Sequence, residues 1–363
     1  MSEAGTQAPS EAPQQIAPMR HEFQFTGTGG EFFGIWIVNL ALTVVTLGIY
    51  SAWATVRTRR YFRGNTLLDG HSFEYHASPV RILVGRLIAL GLLIGYNVSV
   101  SFSIYALIVW VPIFFAAFPW LITSSLRFNA RNTSYRNVRF NFVGTYGGAF
   151  KAYVLWPLAG IFTLGLLVPL ARRAADYYYV NHHTFGGRPF ETKFTAWQIY
   201  AIFLIGFAIA VIMAIIGAVF FGGVLVAAMP HGSAGGQMAP AMVPTFILLV
   251  ALAEMAFIGL ALAIATMVFN LVVAHTVLDG KHELGAALSP VTVPWIMITN
   301  ILLTLITLGI FYPWAQVRIA RYRIEHLSLT AKGSLDDFTS EAFGTQSAVG
   351  EEIAGFFDLD FGL

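Results

Sequence analysis

Glu254 stands alone as a carboxylate inside a long apolar run, LLVALAEMAFIGL. An ionisable group at membrane depth is costly and by default marks a function. The chemistry open to it is proton coupling, cation binding or contact with a polar substrate. The competing reading is a protonated or hydrogen-bonded carboxyl that locks helix packing. Asn39 and Asn300 are candidates to line the same polar cavity, or else to satisfy backbone groups where the chain bends. Arg57, Arg60, Arg318 and Arg321 follow Trp53 and Trp314, the usual order of an interfacial anchor, and are candidate contacts for anionic lipid headgroups. Nine histidines are scattered without ligand spacing, so no metal site is expected. His282-Glu283-Leu284 lacks the second histidine of a zinc helix, and neither a Walker loop nor a G-x-S-x-G elbow occurs. With no cysteine there is no thiolate chemistry. Neither a catalytic residue nor a cofactor is expected.

The elements that would hold these residues repeat. Asn39–Tyr61 reads NLALTVVTLGIYSAWATVRTRRY and Asn300–Tyr322 reads NILLTLITLGIFYPWAQVRIARY, at identical spacing. A looser version is centred on Thr163-Leu-Gly-Leu, with Trp156 at the asparagine position and Ala171 and Tyr178 in register. The chain is 56% hydrophobic and 11% charged, against about 25% charged residues in a soluble domain. Apolar segments cover roughly 34–56, 80–100, 102–126, 148–170, 196–228, 244–274 and 291–315. Seven transmembrane helices is one reading. The other lets the three repeated segments enter, turn at Thr-Leu-Gly and return, leaving two transmembrane hairpins, 80–126 and 196–274. All 21 basic residues then lie on one side with both termini, as the positive-inside bias requires. Gly48 and Gly309 supply the turn, while Thr43, Thr46, Thr304 and Thr307 bond to carbonyls freed there.

Between the apolar segments lie short alternating stretches. Asp69-Gly70, Gly186-Gly187 and Asp279-Gly280 predict β-hairpins, and Arg131–Phe140 is a fourth variant. The fold class expected is an α-helical polytopic membrane protein with internal repeats and small cytoplasmic β-hairpins. Its parts are a disordered tail (1–19), one membrane repeat (20–126), a second (127–274), a half repeat (275–332) and an acidic tail (333–363). The end of that tail, Phe356–Leu363, alternates acid and hydrophobe and could dock on a partner.

At Phe23–Gly34, Thr46–Tyr61, Leu68–Gly70 and Thr307–Tyr322 the chain resembles the YjgN-like family of bacterial inner-membrane proteins, whose function is unknown. The resemblance implies a multi-pass protein of the bacterial inner membrane and brings no catalytic residues. The middle segment departs from it, with Leu170 in place of Trp and Ala174 in place of Arg.

The function expected is a transporter, channel or lipid-handling protein with a site under the repeated segments. The alternative is a non-catalytic scaffold or regulatory subunit of another membrane protein, such as a peptidase, engaged through the C-terminal tail. A membrane enzyme is the weakest reading. The partners expected are the bilayer and anionic lipids. Nucleic acid is not among them, because the basic residues hug the bilayer without a reading motif.

Overall fold

The structure is a computed structural model that describes residues 18–228, 243–336 and 338–343. The expected N-terminal tail up to residue 17, the connection 229–242 with His231, and Phe356–Leu363 lie outside the described residues.

Short strands and helical hairpins alternate along the chain. They run β1 (Met19–Phe25), α1 (Gly29–Val45), α2 (Ser51–Gly64), β2 (Thr66–Leu68), β3 (His71–Tyr75), α3 (Pro79–Phe102), α4 (Leu107–Arg131), β4 (Thr133–Tyr135) and β5 (Val138–Phe142). Next come α5 (Tyr146–Phe150), a π-helical turn (Lys151–Leu155), α6 (Trp156–Phe162), α7 (Val168–Asn181), β6 (His183–Phe185), β7 (Arg188–Thr192), α8 (Ala196–Ala228) and α9 (Val243–Ala274). The described chain closes with β8 (Thr276–Leu278), β9 (His282–Ala286), α10 (Thr292–Ile306), α11 (Tyr312–Glu325) and β10 (Leu327–Ala331).

The ten strands form a closed antiparallel barrel, sealed where β1 pairs with β10. The expectation of an α-helical polytopic fold is therefore overturned. Three- to seven-residue strands leave unpaired edges that an isolated hairpin cannot satisfy, and ring closure removes them. Three hairpins turn through two residues at positive φ, Asp69-Gly70, Arg136-Asn137 and Gly186-Gly187, the form that follows strand twist. The β8–β9 turn is one residue longer, Asp279–Lys281.

One inward-facing cross-strand pair recurs around the ring: Phe23 with Leu68, Phe73 with Tyr135, Phe140 with Phe185, Phe190 with Leu278, and Leu284 with Leu329. Tyr135, Phe185, Leu278 and their neighbours are buried, so the bore is filled with side chains, as small barrels require. Leu335, Phe338 and Ala342 join this cluster and stopper the hairpin-turn end. Residues 335–336 and 338–343 of the acidic stretch thus rest on the barrel through Leu335, Phe338 and Ala342. Ion pairs from Arg136 to Asp69 and Asp336, and from Arg188 to Asp279 and Glu341, hold them there.

At the opposite end, each odd-numbered strand feeds a pair of helices that returns to the next even strand. Two pairs are long. Among the described residues, Pro79–Phe102, Ile104–Arg131, Ala196–Val224 and Val243–Ala274 are long and apolar enough to cross a membrane. The other three pairs are the repeated segments, each broken at Thr-Leu-Gly, so the alternative of seven transmembrane helices also falls. Leu47, Leu164 and Leu308 take φ near +50°, followed by Gly48, Gly165 and Gly309 near +90°. One threonine secures each turn. Thr46, Thr163 and Thr307 donate to the carbonyl four residues back, and accept from the amide four residues on. This is the bonding anticipated for Thr46 and Thr307. Thr43 and Thr304 donate to Asn39 and Asn300 carbonyls in the same way.

A candidate binding cavity above the barrel

Four helices converge on the rim of the barrel: α2, α4, α7 and α9. Their last turns enclose a cavity of about 450 Å³. Its floor is the upper layer of the bore, Phe73, Phe140, Phe190 and Leu284. Its walls carry Arg63 from α2, Asn129 from α4, Arg172, Asp176 and Tyr179 from α7, and Phe269, Val272 and Val273 from α9. A volume of this order suits a small organic ligand. Tyr179 keeps 49% of its surface uncovered although it sits deep among protein atoms, so much of that surface faces an internal space. A smaller cavity of about 190 Å³ adjoins it, sharing Arg172 and Phe269 and adding Val293 and Arg323.

The polar groups of the main cavity are not equivalent. Arg172 and Asp176 lie one turn apart on α7 and form an ion pair at 2.8 Å. Burial raises the Asp176 carboxyl above its usual range, and the Arg172 bond opposes that shift. His183 donates from Nδ1 to the Tyr179 carbonyl at 2.5 Å, and burial holds its imidazole below the ordinary value. Arg63 lies over the Tyr75 ring, 4.6 Å from its centre. One of its terminal nitrogens is buried with no hydrogen-bond partner, and burial lowers the guanidinium from its ordinary value. Neighbouring Arg59 is already engaged by the Tyr75 hydroxyl and by Asn129.

The residues singled out from sequence lie elsewhere. Asn39 and Asn300 are buried inside the outer short pairs. Arg57 donates to Asn39 at 3.4 Å and Arg318 to Asn300 at 3.2 Å, while Asn300 also donates to the Ala315 carbonyl at 3.0 Å. Four candidates thus meet as two clamps that tie one arm of each pair to the other. Arg60 donates to the Tyr75 carbonyl and Arg321 to the Gly27 carbonyl, fastening helix to barrel rim. Glu254 lies exposed on α9 and lines neither cavity.

The family described as bacterial protein of unknown function (DUF898) matches residues 20–356. The chain belongs to this family. The DUF898 chain is also similar to the inner membrane protein YjgN of Salmonella typhimurium, 33% identical over 129 residues, which are 34% of the chain and 31% of that relative. Against YjgN of Escherichia coli K12 the identity is 32% over 128 residues, again 34% of the chain and 31% of the relative. The matched part is about a third of these relatives' own length. No solved structure matches. Together with four helices able to cross a bilayer, these likenesses make the DUF898 chain a membrane protein.

Sequence reasoning did not single out the cavity residues Arg63, Arg172, Asp176 and Tyr179. The one available signal was the middle segment, which lacks the Asn and the paired Arg of the other two yet carries Arg172 and Asp176.

Proposed function

We propose that this is a multi-pass inner-membrane protein that binds and moves, or presents, an amphiphilic small molecule in the cavity above its barrel. The observation that carries this reading is a cavity of about 450 Å³ floored by phenylalanine at the foot of membrane helices, bordered by an arginine, Arg63, whose buried terminal nitrogen has no hydrogen-bond partner. Such a site offers one strong polar contact and a large apolar surface, the usual division of labour in a ligand pocket.

The short pairs act as re-entrant segments in this reading. Their tips place Leu47, Leu164 and Leu308 at 94%, 98% and 93% exposure, at a backbone position that water-facing turns give to Gly or Asn. Three fully presented leucines fit immersion in hydrocarbon. Each arm has at most 17 residues, below the roughly 20 needed to cross. Arginines gather at the helix feet (Arg57–Arg63, Arg127, Arg131, Arg172, Arg173, Arg318–Arg323), which supports a cytoplasmic barrel with both termini on that side.

The absence of cysteine makes the test direct. A single Val273→Cys chain in nanodiscs is expected to react with a maleimide, and a bulky adduct there is expected to abolish binding of an environment-sensitive fluorescent fatty acid. Unchanged binding after full modification would remove the cavity as the site.

One observation favours a second reading, a scaffold for another membrane protein. Glu254 is exposed on a membrane-spanning helix and has no partner among the described residues. A carboxyl facing lipid is costly enough that a partner's donor would be its natural cover. Loss of a co-purifying membrane protein on Glu254→Leu would support that reading, and retention would count against it.

A further inference from the structure

The charge balance of the cavity goes one step beyond its shape. Two arginines, Arg63 and Arg172, line it, a third, Arg59, bonds to the lining residue Asn129, and two of these three are satisfied. Arg172 is paired with Asp176, and Arg59 is held by Tyr75 and Asn129. Arg63 is the exception. Among the described residues no carboxylate pairs with it, and its buried terminal nitrogen has nothing to donate to. Its position in the last turn of α2 and its stacking on Tyr75 account for a cation there. They do not account for a guanidinium that borders a wide cavity with no carboxylate partner among the described residues. A buried unpaired charge destabilises a fold unless something completes it. The polar part of the lining is Asn129, Thr133, Tyr179, His183, Thr276 and the Arg172–Asp176 pair, and the apolar part includes Phe73, Phe140, Phe190 and Phe269.

We propose that the cavity binds a single-chain anionic amphiphile, its carboxylate or phosphate on Arg63 and its hydrocarbon chain over the phenylalanine floor. This rests on the cavity being the ligand site, as argued above, and adds the sign of the ligand's charge. The recognition is one unpaired guanidinium meeting one anionic head, with the chain held by contact area. A neutral head can accept a hydrogen bond from Arg63 but supplies no counter-charge, so the bond is the weaker, uncharged kind. Inorganic phosphate alone leaves the apolar floor uncovered.

The experiment uses the full chain purified in a non-ionic detergent. A fluorescent fatty acid is displaced by palmitate, by palmitoyl lysophosphatidylglycerol, by neutral monopalmitoyl glycerol, or by inorganic phosphate. The expected result is that at least one anionic amphiphile competes about tenfold better than the neutral one, the scale of a charge-assisted hydrogen bond, while phosphate does not compete. Which of palmitate and the lysophospholipid wins separates a carboxylate from a phosphate head. Arg63→Gln is expected to erase the preference, and an unchanged elution volume and thermal unfolding midpoint show that the variant is folded. Arg63→Lys retains part of the preference. Val273→Trp, which places an indole in the cavity over its apolar floor, is expected to abolish all binding.

Equal competition by charged and neutral amphiphiles, with Val273→Trp abolishing both, would overturn the charge assignment and leave the cavity reading standing. So would an anionic preference unchanged in Arg63→Gln. Binding untouched by Val273→Trp would overturn the cavity reading, and the charge assignment with it. Competition by inorganic phosphate as strong as by the amphiphiles would remove the hydrocarbon chain from recognition.

Discussion

The two outer short helical pairs, α1–α2 and α10–α11, differ from the middle one, α6–α7, in everything but the turn. All three share the Leu-Gly turn at positive φ and the threonine that bonds both ways across it. The outer pairs add an Asn–Arg clamp between their arms. The middle pair has Trp156 and Ala174 at those places, and a π-helical turn over Lys151–Leu155 where α1 and α10 run regularly. A π turn often marks a functional region. Released from clamping, α7 turns Arg172, Asp176 and Tyr179 into the cavity. Turn chemistry sets the shape of such a pair, and the arms differ in how they meet the cavity: the clamped α2 reaches it through Arg63 in its last turn, whereas α7 lines it with Arg172, Asp176 and Tyr179.

The comparison breaks most visibly at the clamp. Asn300→Leu leaves the Ala315 carbonyl without its donor and removes one of the two acceptors of Arg318, the other being Thr299. A loss of about 3 kcal/mol is expected, read as a lower thermal unfolding midpoint in detergent. Trp156→Leu at the matching place in the middle pair is expected to cost clearly less. Equal losses would mean that the clamp does not distinguish the pairs. The turn gives the opposite expectation. Gly48→Ala, Gly165→Ala and Gly309→Ala place a side chain in the left-handed region, with open space around each. Each is expected to cost about 1 kcal/mol, and the three losses should agree. A turn that tolerates alanine freely would show that the shared geometry is not held by glycine.

The smallest effect is the pH dependence that His183, at the strand just after the middle pair, contributes. His183 stands where the outer pairs have Thr66 and Leu327. Burial depresses its imidazole below the unfolded value of 6.5, helped by nearby His182 and opposed by the Tyr179 carbonyl. The unfolded chain therefore takes up the proton first as the pH falls. The stability from a neutral His183 is complete above the unfolded value and is lost as the pH drops from there through the folded one. His183→Thr should flatten part of the fall in melting temperature between about pH 7.5 and 5.5. The remaining slope belongs to other groups, His282 among them, which burial also depresses. An unchanged slope would show that His183 takes no part.

Much of the local architecture could be read from the chain itself. Asp-Gly and Gly-Gly announce hairpins because few other residues accept positive φ. Thr-Leu-Gly announces a turn whose threonine satisfies freed backbone groups. The barrel could not be read. Its closure depends on edges meeting across long intervals of sequence, Met19 against Ala331 and Phe73 against Tyr135, and a five-residue strand records nothing about its second neighbour. The cavity was hidden for the same reason. Arg63 reads as one more interfacial arginine until α2, α4, α7 and α9 are brought to one rim. Glu254 drew attention because it is rare in its segment, but rarity marks cost and does not reveal which way a side chain faces.

The seam between β1 and β10 has a bearing on how this protein is made. The ring cannot shut until residues 327–331 have left the ribosome, after all four long helices have been synthesised. Until then the outer edge of β1 waits without its mate. That edge carries Arg20, His21 and Glu22, charged or polar side chains that discourage pairing with a stranger. Birth order and architecture meet at this edge: the first strand made is among the last to be completed, and it waits in a form suited to being left alone.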